Sequence, residues 1–155
     1  MELKPLIAPG VRGLQPYQPG KPVEELEREL GITGIVKLAS NENPKGPSPK
    51  VVESIRRILD GLGRYPDGSG FALKRKLASH LGVESAQLTL GNGSNDVLEI
   101  ITRSFVQPGE GVVISEHAFA VYELAARSVN ATIKIVPAKA FGHDLDGMAS
   151  AINSV

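Results

Sequence analysis

The sequence has no cysteine and no tryptophan, and only 5% of its 155 residues are aromatic. Without thiols there are no disulfides, no thiolate metal sites and no cysteine nucleophiles, a composition that suits a reducing cytoplasm. Neither sign of charge is in excess, since Lys and Arg total 17, Asp and Glu total 17, and the formal net charge is zero. A delocalised basic face for nucleic acid therefore has no compositional support, and any anion site must be local. Long apolar runs are missing as well. The opening MELKPLIAPG has no apolar signal core, and no run approaches the length needed to span a bilayer. His80, His117 and His143 share no metal-ligand spacing, so no metal site is expected. Together these absences read as a soluble, cytoplasmic protein that engages neither nucleic acid nor membrane.

What is present is enough apolar material for one globular core, at 41% hydrophobic and 22% charged residues. The 17 glycines and 11 prolines gather in the first half, notably over 16–22 and 43–49. Such clusters mark extended arms and turns. Residues 1–21 carry no sustained period and read as an arm lying over another element. Pro22 then opens a short helix with Val23, Leu26 and Leu30 on one side and Gly31 just past its end. Ile35 to Ala39 reads as a strand running into the polar stretch Ser40 to Pro44. Val51, Ile55, Ile58, Leu59 and Leu62 follow helical spacing. After the loop Arg64 to Gly70, Ser69 is expected to cap a helix carrying Leu73, Leu77 and Leu81 and stopped by Gly82.

From Gln87 onward strands and helices alternate. Gln87 to Leu90 reads as a strand, Ser94 to Phe105 as a helix with Val97, Leu98, Ile100, Ile101 and Phe105 inward, and Gly111 to Ser115 as a buried strand. Ala118 to Val129 then reads as a helix, Thr132 to Val136 as a third strand, and Asp144 to Val155 as a helix capped by Asp144. That alternation predicts a mainly parallel α/β sheet with flanking helices and right-handed crossovers. The sheet is expected to be incomplete, leaving apolar surface for a partner to cover.

The chemistry concentrates in Gln87 to Asp96, where a strand, a glycine-rich turn and a helix start follow one another. Free backbone N–H groups and the positive end of a helix dipole meet there, so Gly93, Ser94 and Asn95 are placed to cradle a phosphate. An ordinary helix cap explains the same residues equally well. The third glycine of the dinucleotide fingerprint is absent, and no Gly-Lys-Ser or Gly-Lys-Thr follows, which removes the nucleotide-binding loops.

Four segments in order, PYQPGKP at 16–22, LASNENPKGPSP at 38–49, RYPDGSG at 64–70 and LGNGSNDVLE at 90–99, resemble histidinol-phosphate aminotransferases. The resemblance implies the first part of a fold-type I pyridoxal 5'-phosphate enzyme. Its expected division is an N-terminal arm over 1–22, the N-terminal part of a small domain over 23–46, and an incomplete large cofactor-binding domain over 47–155. It implies that Gly93, Ser94 and Asn95 hold the cofactor phosphate and that Phe119 stacks on the pyridine ring, where the family often has Tyr. Tyr65 would reach the cofactor phosphate of a neighbouring subunit in a homodimer. Tyr17 and Asn41 would border the substrate, Tyr17 from across that interface. The implied reaction exchanges an amino group between glutamate and a phosphorylated imidazole keto compound in histidine biosynthesis. The lysine that tethers the cofactor is expected beyond residue 155, so no catalytic residue is assigned.

Without the resemblance, each residue also has a plain reading: Tyr65 a loop anchor, Phe119 core, Tyr17 an arm contact, Asn41 and Asn43 turn formers. Arg56-Arg57 and Lys74-Arg75-Lys76 read as solvated helix faces. Rival functions are a threonine-phosphate decarboxylase or aromatic aminotransferase of the same fold, or a noncatalytic phosphate-binding or interaction module.

Overall fold

The structure, a computed structural model, describes residues 3–152. The first two residues of the expected arm and the last three of the expected final helix lie outside the described residues. The chain divides into two compact units, one of residues 18–88 and one formed by 1–17 with 89–155.

The 18–88 unit holds three helices, α1 (Val23–Leu30), α2 (Pro49–Ile58) and α3 (Phe71–Leu81). Helix α1 starts after Pro22 and stops at Gly31, whose left-handed φ of 65° turns the chain away while its N–H closes on the Glu27 carbonyl at 2.9 Å. Helix α3 ends the same way at Gly82, with φ 70°. Its start differs from expectation. The Ser69 hydroxyl does not cap it; Asp67 does, accepting from the Ser69 amide (2.9 Å), the Ser69 hydroxyl (2.7 Å) and the Phe71 amide (2.8 Å). A carboxylate one turn upstream reaches more donors than a hydroxyl at the helix mouth, so it wins. Ala78 is the buried residue of α3, and the helix packs on a 3₁₀ turn at Ser85–Gln87.

Two expected strands do not form. Residues 35–39 run without regular structure, leaving Val36 77% and Leu38 93% exposed, and 88–90 pair with nothing described. Their composition suits a strand, but a strand needs a partner to satisfy its backbone, and local sequence cannot supply one. The stripe likewise stays open: Val51, Ile55 and Ile58 on α2, and Leu59 and Leu62 in and after the 3₁₀ turn Leu59–Gly61 that follows it, are all exposed.

The other unit contains α4 (Ser94–Phe105), β1 (Gly111–Ser115), α5 (Ala120–Ser128), β2 (Thr132–Val136) and α6 (Leu145–Ala151). Strands β1 and β2 pair in parallel, from Gly111 opposite Thr132 to Ser115 opposite Val136. Helices α5 and α6 each pack on both strands without touching one another. Ala125 and Ala126 let α5 sit close to the sheet, and with Ile114, Val121, Val136 and Ala151 they make the core. Each buried Val or Ile there contributes about 1.5–3 kcal/mol. Asp144 caps α6 by accepting from the Gly147 amide at 3.1 Å, as its position before the helix suggests. Helix α4 contacts α5 rather than a strand, so Ile100, Ile101 and Phe105, expected inward, are exposed; Phe105 is 78% accessible. The expectation failed because those side chains have no described surface to pack on.

Residues 3–17 belong to this unit and lie over it. A 3₁₀ turn at Pro9–Val11 packs on α5. Arg12 closes the arm into a loop, donating to the Ile7 carbonyl at 2.7 Å and the Pro5 carbonyl at 2.8 Å.

Candidate functional site

The turn into α4 is shaped by its two glycines. A Cβ on Gly91 would stand 2.8 Å from Val97 Cγ2, 3.0 Å from Asp96 Oδ2 and 3.2 Å from the Val97 amide nitrogen, so the turn folds back closely on the first helical residues and a side chain there would push on them. Gly93, at φ 86° and ψ 175°, occupies a region essentially restricted to glycine. Asp96 fastens the turn: its carboxylate accepts from the Asn92 backbone at 2.9 Å and from Asn92 Nδ2 at 3.4 Å. Sequence reasoning missed this residue. An acidic side chain at the third helical position, after Gly-Asn-Gly-Ser-Asn, was the available signal.

The first helical hydrogen bond is that of Val97 to the Gly93 carbonyl. The amides of Ser94, Asn95 and Asp96 have no acceptor among the described residues, and they point out of the positive end of a 12-residue helix. Gly93 itself donates to the Gly91 carbonyl at 2.9 Å, so its part in this geometry is conformational. The mouth is open. Nothing lies within 4 Å of where a Gly93 side chain would start, and Ser94 and Asn95 are exposed. Three unpartnered donors at an unobstructed helix mouth fit a phosphate monoester, the anionic end of pyridoxal phosphate.

Phe119 is the N-cap of α5, four residues past the carboxyl end of β1, the end at which open parallel sheets bind ligands. Its ring is 41% exposed and meets the Tyr17 ring edge-on, with centroids 5.4 Å apart and planes at 78°. Two residues taken separately from sequence are thus in contact within one chain, whereas Tyr17 was expected to act from across a subunit interface. Phe119 is not plain core, since it shares its surface with solvent and with the arm.

Asn41 and Tyr65 belong to the 18–88 unit. Ser40 and Asn41 both take left-handed backbone, at φ 71° and 50°, in a turn flanked by the Lys37–Glu42 ion pair at 2.6 Å. Asn43 serves its own turn, donating to the Gly46 carbonyl and accepting from the Lys45 amide. The Asn41 side chain makes no such bond among the described residues. Tyr65 is fully exposed and does not anchor its loop; Asp67 does. The hydrogen bonds to Ser69 and Phe71 hold the Asp67 carboxyl below its usual 3.8, the Ser69 hydroxyl contributing most.

No family model matches the chain. Curated relatives do. It is 57% identical over 99% of its length to histidinol-phosphate aminotransferase 2 of Methylococcus capsulatus, and 59% identical over 96% to that of Pseudomonas aeruginosa. The chain is a homologue of histidinol-phosphate aminotransferases. It spans about two-fifths of their length, 43% and 41% respectively. A solved histidinol-phosphate aminotransferase from Sinorhizobium meliloti, in complex with pyridoxal-5'-phosphate, superimposes with a TM-score of 0.83 over 96% of this chain and 39% of that one, at 28% identity. The fold is accordingly that of fold-type I aminotransferases, here a helix-rich α/β portion with a small parallel sheet. Among the described residues no cluster of His, Asp and Glu could hold a metal ion, and no helix is long and apolar enough to cross a membrane.

Proposed function

We propose that this chain is the N-terminal portion of a cytoplasmic, homodimeric aminotransferase. It would exchange an amino group between glutamate and imidazole-acetol phosphate, giving 2-oxoglutarate and L-histidinol phosphate in histidine biosynthesis. The observation that carries this reading is the 57% and 59% identity with histidinol-phosphate aminotransferases over 99% and 96% of the chain. The free amides at the mouth of α4 support the cofactor assignment on independent physical grounds.

Pyridoxal phosphate, when bound, supplies an electron sink for the carbon that gains or loses the amino group. The residues of this chain bind and orient it. Ser94 and Asn95 hold the phosphate through backbone amides, with Gly93 setting the turn and Asp96 bracing it. Phe119 would lie against the pyridine face and keep its plane fixed. Tyr65 would reach the phosphate held by the partner subunit and Asn41 would border the substrate; Tyr17, expected to do so from across that interface, would do so here from beside Phe119 of its own chain. In this reading 1–22 form the arm, 23–46 the first part of the small domain and 47–155 the first part of the large domain. Those limits follow the parent enzyme, whereas the two units described above follow contacts within the chain. The tethering lysine lies outside these residues.

The test is amino transfer by the complete gene product with glutamate as donor. Conversion of imidazole-acetol phosphate, with little turnover of aromatic keto acids and no decarboxylation of threonine phosphate, is expected. Preference for either alternative substrate refutes the assignment.

A further inference from the structure

The arm touches α5 at both ends of that helix. At the C-terminal end Gly10 lies flush on the backbone: a Cβ there would stand 2.2 Å from the Arg127 carbonyl oxygen, 3.0 Å from that of Ser128 and 2.9 Å from the Asn130 amide nitrogen. All three atoms are main chain, so no side chain can swing aside. At the N-terminal end Tyr17 presents its ring to Phe119, the N-cap residue. Arg12 reaches back across Gly10 through its bonds to the Ile7 and Pro5 carbonyls, and from Arg12 to Pro16 all residues but the half-buried Leu14 are exposed. Helix α5 is nine residues long, about 14 Å at 1.5 Å per residue, and seven steps of extended chain from Gly10 to Tyr17 reach at most about 25 Å. The linker is therefore slack, so Tyr17 is placed by packing at the two ends of the arm, at Gly10 and at Phe119, and not by tension in the chain between them.

We propose that Gly10 is a positioning residue: its close approach to the last turn of α5 pins the arm so that Tyr17 meets and orients the Phe119 ring. The strap follows from contacts within this chain; its consequence for a cofactor ring rests on the function proposed above. Any side chain at position 10 lifts the arm off α5 and frees the Tyr17 ring, leaving the core of the unit unchanged.

The chain has three tyrosines, so 3-fluorotyrosine labelling gives three ¹⁹F signals, with Tyr17→Phe identifying that of Tyr17. Gly10→Ala is expected to move the Tyr17 signal to the position it takes in Phe119→Leu, with Tyr65 and Tyr122 unmoved. Gly61→Ala, which has open space around it, is expected to move none. Arg12→Gln loosens the same arm without touching α5 and should shift Tyr17 in the same direction, which decides the matter if Gly10→Ala fails to fold. A Tyr17 signal unmoved in the folded variants overturns the proposal. Inorganic phosphate added to ¹⁵N-labelled samples of the same variants separates the two readings. Loss of any response at the Ser94 and Asn95 amides would count against the cofactor site, while the Tyr17 signal would still decide the strap.

Discussion

Tyr17 and Phe119, 102 positions apart in sequence, meet edge to face at 5.4 Å. Such aromatic pairs contribute about 0.5–1.5 kcal/mol beyond the area they bury, and with both rings partly exposed the lower half of that range applies. A double-mutant cycle of Tyr17→Leu and Phe119→Leu on urea unfolding is expected to give a coupling of about 0.5–1 kcal/mol. Strict additivity would mean the contact holds no energy.

Gly93 is bound to its identity by conformation. Gly93→Ala places a Cβ at φ 86°, ψ 175°, a strain of about 1–3 kcal/mol, without meeting any neighbouring atom. The turn should relieve it by rotating the Ser94 and Asn95 amides out of line. Phosphate affinity is expected to fall at least tenfold while the helix remains, as read by isothermal titration and circular dichroism.

Ile114 is 6% exposed, the fourth of the five residues of β1, a strand on which both α5 and α6 pack. Ile114→Ala is expected to cost about 2–5 kcal/mol, the range for cavity-forming substitutions, in chemical denaturation. Ile101→Ala on the exposed face of α4 should cost well under half as much in this chain.

Asp67 ties the Tyr65 loop to α3, and its folded value lies below 3.8. Its contribution to order is therefore fully present above the unfolded value and is lost as pH falls through the lower folded one. Amide protection of Ser69 and Phe71 should persist to below pH 3.8 and then drop. In Asp67→Asn that acid step should vanish. Lys21 behaves in the opposite sense: the hydrogen bond to Glu29 raises it above 10.5, so its contribution is present below that value and fades at higher pH.

Much of this was legible locally. Gly31 and Gly82 mark helix ends by their left-handed backbone, and the alternation through β1, α5 and β2 reads directly as parallel α/β structure. Residues 35–39 and 87–90 misled because strand formation depends on a neighbour, not on composition. Phe105 misled for the same reason: periodicity tells which side of a helix is apolar, but only a partner makes it inward. At the site, the glycines and Ser94 were visible as a pattern. The engagement of the Gly93 amide, the brace from Asp96 and the Tyr17–Phe119 contact needed coordinates, because each depends on a turn geometry or a distant segment.

By resemblance the tethering lysine is not among these residues, so the 155-residue polypeptide is expected to convert no pyridoxal phosphate to its amine form with glutamate in a single-turnover experiment. Conversion would place a competent lysine within it.

The proposed grip on the cofactor rests on the amides at the mouth of α4. In a ¹⁵N-edited titration with pyridoxal phosphate, the Ser94, Asn95 and Asp96 amide signals are expected to move first and together, with inorganic phosphate competing. If those three stay still while other amides respond, the phosphate is held elsewhere and the cofactor site is misplaced.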